Sequence, residues 1–217
     1  LRLKGKKVVI VSSGSIALGR KTLGLKSNNL SLEESQAAAA VGQILLAQSY
    51  QKSLECYQII SAQILVTAED SRNRRRYLNS RATLLKLLEM DAVPIVNEND
   101  TVATDEIRFG DNDRLAAQVA SMCDANILIL LSDVAGLYTS DPNLDPEALH
   151  IPIVKKITDE IELMAAGKKS NFSKGGMQTK LEAAKVSVAA GCHMVISDGS
   201  AKRPISSVLS GQKSTWF

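Results

Sequence analysis

The feature that most constrains the fold is a series of short apolar runs that do not alternate. Val8-Val9-Ile10-Val11 is the first, followed by Ile59–Val66, Val93–Val96, Ile127–Leu131 and Met194–Ile196. An alternating run leaves one face of a strand in water, whereas a continuous β-branched run buries both, as in a parallel sheet covered by helices. The intervals carry helix-like segments at Leu32–Leu54, Asn79–Met90, Asp113–Met122, Asp159–Ala166 and Gly175–Ala190. Ser31, with Glu34 three residues on, is a capping signature for the first of these. Gly191 is a left-handed terminator for the last. Strand and helix alternating at this spacing predict an α/β doubly wound sheet with right-handed crossovers.

A chain of 217 residues is long enough to bury a core without disulfides or a structural metal. Its 26 basic and 23 acidic residues leave a formal charge of +3, too mild to imply a nucleic-acid partner. The densest basic cluster, Arg72-Asn73-Arg74-Arg75-Arg76, lacks interleaved aromatics and reads as a solvated face or subunit contact. Cys56, Cys123 and Cys192 fit neither a disulfide framework nor a C-x-x-C pair, so reduced thiols are expected. No apolar run approaches the length of a membrane span and no signal peptide opens the chain. The expectation is a soluble, cytoplasmic protein with no membrane partner. The chain opens at Leu1 without a methionine, which reads as the start of a fragment.

In open parallel sheets, ligands sit beyond the carboxyl ends of the strands. Ser12-Ser13-Gly14, Asn97-Glu98-Asn99-Asp100 and Ser132-Asp133 each follow a strand run, so all three are expected at one crevice. Lys4, Lys6 and Lys7 precede their strand and lie at the wrong end. Gly14-Ser15-Ile16-Ala17-Leu18-Gly19-Arg20-Lys21-Thr22 nearly matches a P-loop, but Arg20 is inserted before the lysine. One extra residue turns lysine and hydroxyl by about 100° on a helix, so a P-loop hydrolase is the weaker reading. Gly110-Asp111-Asn112-Asp113 adds carboxylates and amides that could bind an ammonium or orient a lysine. The alternative is that Asn112 or Asp113 caps a helix beginning near Arg114. Ser173-Lys174-Gly175-Gly176-Met177-Gln178-Thr179-Lys180 opens a helix, where free N–H groups and the dipole favour an anion. The alternative there is a plain loop before an amphipathic helix. Asp141–Pro146 reads as a turn-rich hairpin or lid.

Taken in order, these motifs resemble the amino acid kinase family. The resemblance runs through Val11–Gly14, Ala39–Gln43, Gln63–Thr67, Pro94–Asp100, Phe109–Asp113, Leu131–Asp133 with Gly136-Leu137-Tyr138, and Gly175–Lys180. The N-E-N-D and G-D-N-D pair points to the branch that uses glutamate as acceptor. The resemblance implies a three-layer αβα sandwich with a mainly parallel open sheet, as one domain over residues 1–217. It implies transfer of the ATP γ-phosphoryl group to the γ-carboxylate of L-glutamate, the first step of proline biosynthesis, with ATP and Mg²⁺ as cofactors. Ser13, Asp100 and Asn112 match the glutamate-binding positions. Ser132, Asp133 and Lys174, Gly175, Gly176, Met177, Gln178, Thr179 and Lys180 match the nucleotide-binding ones. Lys180 would neutralise the transferring phosphoryl group and Asp113 would hold lysines in place. No metal ligand is assigned on the protein, since phosphates and waters would carry Mg²⁺.

Two departures accompany the match. Ser173-Lys174 stands where the family loop usually reads G-T. The family's opening strand, which ends in K-x-G-S and supplies a second lysine, has no counterpart after Leu1. The sequence-based expectation is therefore a kinase domain lacking the family's first strand and helix, or a chain that binds its ligands without turnover. A homo-oligomer, dimer or tetramer, and feedback inhibition by proline are also implied. Some relatives carry a carboxyl-terminal PUA domain, for which Phe217 leaves no room.

Overall fold

Two small sheets, each with its best-buried strand in the middle, organise the chain. The structure, a computed structural model, describes residues 1–26, 30–102, 111–166 and 176–217. It divides into two compact units, Leu1–Arg108 and Phe109–Phe217.

In the first unit, β1 (Ile10–Val11), β2 (Ser61–Val66) and β3 (Val93–Glu98) form a parallel sheet in the order β1-β3-β2. β3 is central and is buried from Val93 to Asn97. β1 is shorter than the run Val8–Val11, because only Ile10 and Val11 pair with β3, at Ile95 and Val96. β3 is longer than its apolar run, since Asn97 and Glu98 stay in register with Leu65 and Val66.

Helix α1 (Ser15–Thr22) starts directly after Gly14, whose φ of 107° suits glycine and few other residues. Helix α2 (Leu32–Glu55) carries the expected capping box, with Glu34 N–H donating to Ser31 Oγ at 3.2 Å and Ser31 N–H donating to Glu34 Oε2 at 2.8 Å. The two helices pack at backbone contact. A Cβ on Gly19 would overlap the carbonyl oxygen of Ala38, and one on Gly42 would overlap that of Ser15. This corrects the P-loop reading. Residues 15–22 are a helix rather than a phosphate-cradling loop, and Gly19 is spent on packing.

Two helices follow β2: the short α3 (Ala68–Arg72), capped by Thr67 with Asp70, and the longer α4 (Arg74–Glu89). α4 begins five residues before the expected Asn79. Asn73 Oδ1 accepts from the N–H groups of Arg75 and Arg76, so the arginine run is the helix's first turn. Arg76 also reaches back to Asp70 at 3.3 Å.

The second unit holds helix α5 (Asp111–Met122), strand β4 (Ile127–Ser132) and an antiparallel hairpin of β5 (Leu137–Tyr138) and β6 (His150–Ile151). The hairpin encloses Asp141–Pro146, as the turn residues anticipate. Helices α6 (Asp159–Ala166) and α7 (Gly176–Ala189) precede β7 (His193–Asp198), α8 (Pro204–Leu209) and β8 (Ser214–Trp216). β7 lies between β4, to which it is parallel, and β8, to which it is antiparallel. Met194, Val195 and Ile196 of β7 are fully buried, as their unbroken apolarity requires.

Asn112 and Asp113 fall inside the first turn of α5, which overturns the reading of either as its cap. None of the three cysteines forms a disulfide among the described residues. Among the described residues, no helix is long and apolar enough to cross a membrane.

Candidate functional site

The parallel register of β1 and β3 brings two polar strand ends together in the first unit. Ser12 N–H donates to Val96 O at 3.0 Å, so Ser12–Gly14 leaves the sheet beside Asn97–Asp100. Ser13 is exposed there. Behind it, Ser12 Oγ receives the Tyr50 hydroxyl from α2 at 2.9 Å and donates to Ser13 O at 3.2 Å. Asp100 begins a single 3₁₀ turn and is 8% exposed. Its Oδ2 accepts from Ser15 Oγ at 3.3 Å.

A buried amide sets the direction of that hydrogen bond. Asn97 Nδ2, at the end of β3, donates to Gln43 Oε1 at 3.0 Å and to Ser15 Oγ at 3.4 Å. With its oxygen receiving from Asn97, Ser15 turns its one proton toward Asp100. A carboxylate this far from water is costly unless hydrogen-bonded and matched by a positive charge. Lys6 and Lys7 precede β1 and are exposed, at the opposite end of the strand as expected.

The second unit holds the cationic counterpart. Asp113 on α5 and Lys180 on α7 form an ion pair at 3.0 Å, with side chains 18% and 15% exposed. The same Oδ2 accepts from the Thr179 hydroxyl at 2.8 Å. Asp113 therefore fixes the Lys180 ammonium from the side, across two helices. Next to it, Asn112 Oδ1 is buried and has no hydrogen-bond partner among the described residues. At the carboxyl end of β4, Ser132 Oγ donates to Asp133 Oδ1 at 3.0 Å, and Asp133 is exposed. Gly176, Met177 and Gln178 form the first turn of α7 with Thr179 and Lys180. Lys174 and Gly175, also expected in the nucleotide loop, lie outside the described residues.

In the hairpin beyond Asp133, burial first and the Lys213 charge second hold the His150 imidazole below its ordinary value. Lys213 Nζ sits 4.8 Å over the Tyr138 ring. Sequence reasoning quoted Gln43 and Asn97 as motif letters without roles and read Ser15 as part of a near-P-loop. No local signal joins them, because their partners lie 54 to 85 residues away.

Each unit thus sets polar residues at the carboxyl ends of parallel-paired strands, flanked by helices, in an α/β arrangement. The chain belongs to the amino acid kinase family, whose model matches residues 1–198. It is 61% identical over 217 residues to a protein of Ruegeria sp. (strain TM1040) named glutamate 5-kinase, and 59% identical over 216 residues to one of that name from Paracoccus denitrificans. Each alignment takes in the whole chain but only 59% and 58% of the relative, so the chain spans less than three fifths of their length. Among solved structures, an isopentenyl phosphate kinase in complex with substrate matches with a TM-score of 0.62 at 16% identity, covering 99% of this chain and 86% of that one. UMP kinase from Ureaplasma parvum matches at 0.56 and 16% identity, covering 91% and 74%. At such low identities these two support the fold.

Proposed function

We propose that the chain is the kinase domain of a glutamate 5-kinase. It transfers the ATP γ-phosphoryl group to the γ-carboxylate of L-glutamate, giving L-glutamyl 5-phosphate, the first step of proline biosynthesis in the cytoplasm. The observation that carries this reading is 56–61% identity, over the whole of this chain, with proteins of that name. The two polar clusters agree with it chemically.

The acceptor carboxylate is already a nucleophile, so the protein needs no general base; positioning and charge neutralisation carry the catalysis. Asp100, its charge steadied by Ser15, takes the α-ammonium of glutamate. Ser13 and Asn112 are the other positions that match the glutamate-binding residues of the family. Lys180, held by Asp113, faces the charge that builds on the transferring phosphoryl oxygens. Ser132, Asp133 and the turn Gly176–Thr179, with Lys174 and Gly175 ahead of it, hold the nucleotide.

Mg²⁺ fits this scheme as an ion brought by the nucleotide. Mg²⁺ keeps several waters and binds through phosphates with few protein ligands. It would supply further charge neutralisation. The assembly belonging to this reading is a dimer or tetramer.

The direct test is ADP release from Mg-ATP with and without L-glutamate. Release should depend on glutamate, and Lys180→Ala should lower kcat by about two orders of magnitude or more. Asp100→Ala should mainly raise the KM for glutamate. Hydrolysis of ATP regardless of any amino acid would refute the assignment.

A further inference from the structure

The backbone between β4 and β5 is pinned at both ends by groups from far along the chain. At its start, Gly199 N–H donates to Ser132 O at 2.7 Å, and a Cβ on Gly199 would crowd Leu131 Cβ at 3.1 Å. At its end, Leu137 N–H donates to Thr215 Oγ1 at 2.7 Å. Thr215 is fully buried in β8. It gives its single hydroxyl proton to Ile151 O at 2.6 Å, and His150 Nε2 stands 3.4 Å from Thr215 Oγ1. One hydroxyl thus ties both strands of the hairpin to the sheet. Gly136 completes the fit, since a Cβ there would overlap Thr215 Oγ1.

Only four residues, Asp133 to Gly136, separate the two anchors. We infer that Thr215 is a positioning residue for nucleotide binding: by fixing Gly136–Leu137 it presets the Ser132–Asp133 turn that receives the nucleotide. This inference rests on the reading of Ser132 and Asp133 given above. Presetting a binding segment removes the ordering cost that the ligand would otherwise meet. Valine would keep the shape of threonine and its β preference while leaving Leu137 N–H and Ile151 C=O without this partner. Serine would keep the hydroxyl.

The experiment is titration of Mg-ATP into the protein by calorimetry, alongside KM values for ATP and glutamate. Thr215→Val should raise the Kd and KM for ATP about tenfold and leave the KM for glutamate within about twofold. Thr215→Ser should return ATP affinity to near wild type. Gly136→Ala approaches the same hydroxyl from the loop side and should reproduce the ATP defect; it carries the test if the valine variant does not fold. Unchanged ATP affinity in the valine variant, or in Gly136→Ala where valine does not fold, overturns the inference. So does failure of serine to rescue, or a parallel rise in both KM values, the mark of a merely structural residue. A wild-type protein that binds no ATP would bring down the nucleotide reading itself, and this inference with it. Failure of the variants on an ATP-binding wild type would leave that reading standing.

Discussion

A single carboxylate oxygen, Asp113 Oδ2, receives both the Lys180 ammonium and the Thr179 hydroxyl. Such a pair serves stability and function together. Both side chains of the ion pair are less than one fifth exposed, so screening by water is limited and the loss of either partner strands the other. Asp113→Asn should lower kcat by about one to two orders of magnitude, less than Lys180→Ala, because the lysine stays while its aim loosens. It should also cost about 1–3 kcal/mol of stability, given that the pair is only partly buried. Steady-state kinetics and urea melts on the two variants check the ordering; an Asp113→Asn enzyme with wild-type kcat would show that the pair does not aim the lysine. Ser13 and Asp100 stand out in the sequence because polar motifs follow apolar strands, and Asp113 and Lys180 because they lie in the G-D-N-D motif and a glycine-led helix start. Ser15 is different: its link to Asp100 spans 85 residues and comes from helix packing, which no short pattern encodes.

Helices α1 and α2 show how such packing is set. Gly19 and Gly42 let each backbone rest on the other, and the approach brings Ser15 and Gln43 to Asn97. Gly19→Ala tests this, because intrinsic propensity and packing pull in opposite directions. Alanine is favoured over glycine inside a helix by about 1 kcal/mol, yet its methyl would overlap the Ala38 carbonyl oxygen. Backbone cannot yield as a flexible side chain does, so packing should win, with a net loss of about 1–3 kcal/mol in urea unfolding. A stabilised variant would mean the helices can part cheaply. The same contrast explains which elements the sequence reveals. β3, β4 and β7 are marked by continuous apolar runs, and α2 by its capping box. The start of α4 is hidden because an arginine run carries no hydrophobic period, although Asn73 caps it. β5, β6 and β8, of two or three residues each, exist through tertiary pairing and Thr215 rather than local preference.

At the scale of the whole molecule, three of the shifted groups among the described residues bear on how stability varies with pH. His150 is held below its ordinary 6.5 by burial and by Lys213. As pH falls toward and below 6.5, the unfolded chain protonates this histidine more readily, so its contribution is present above that value and lost beneath it. Burial alone would raise the Asp70 carboxyl, but hydrogen bonds from the Thr67 N–H and hydroxyl, with the Arg76 charge, bring it below its ordinary 3.8. Its contribution is present above 3.8 and lost as pH falls through its lower folded value. Burial raises the Cys192 thiol above 9.0 despite a backbone hydrogen bond that opposes the shift. Above 9.0 the unfolded chain loses this proton first, and stability declines. The three signs agree on a plateau between about 6.5 and 9.0, with a shallow shoulder below it from His150 and a steeper fall in stronger acid. Urea midpoints across this range in wild type, His150→Gln and Cys192→Ala separate the groups. The first variant should flatten the acid shoulder and leave the alkaline limb unchanged, and the second should do the reverse. If the His150→Gln curve kept the wild-type slope just below 6.5, the histidine would not be the group that titrates there, and the hairpin's link to β8 would make no contribution to the acid response of the fold.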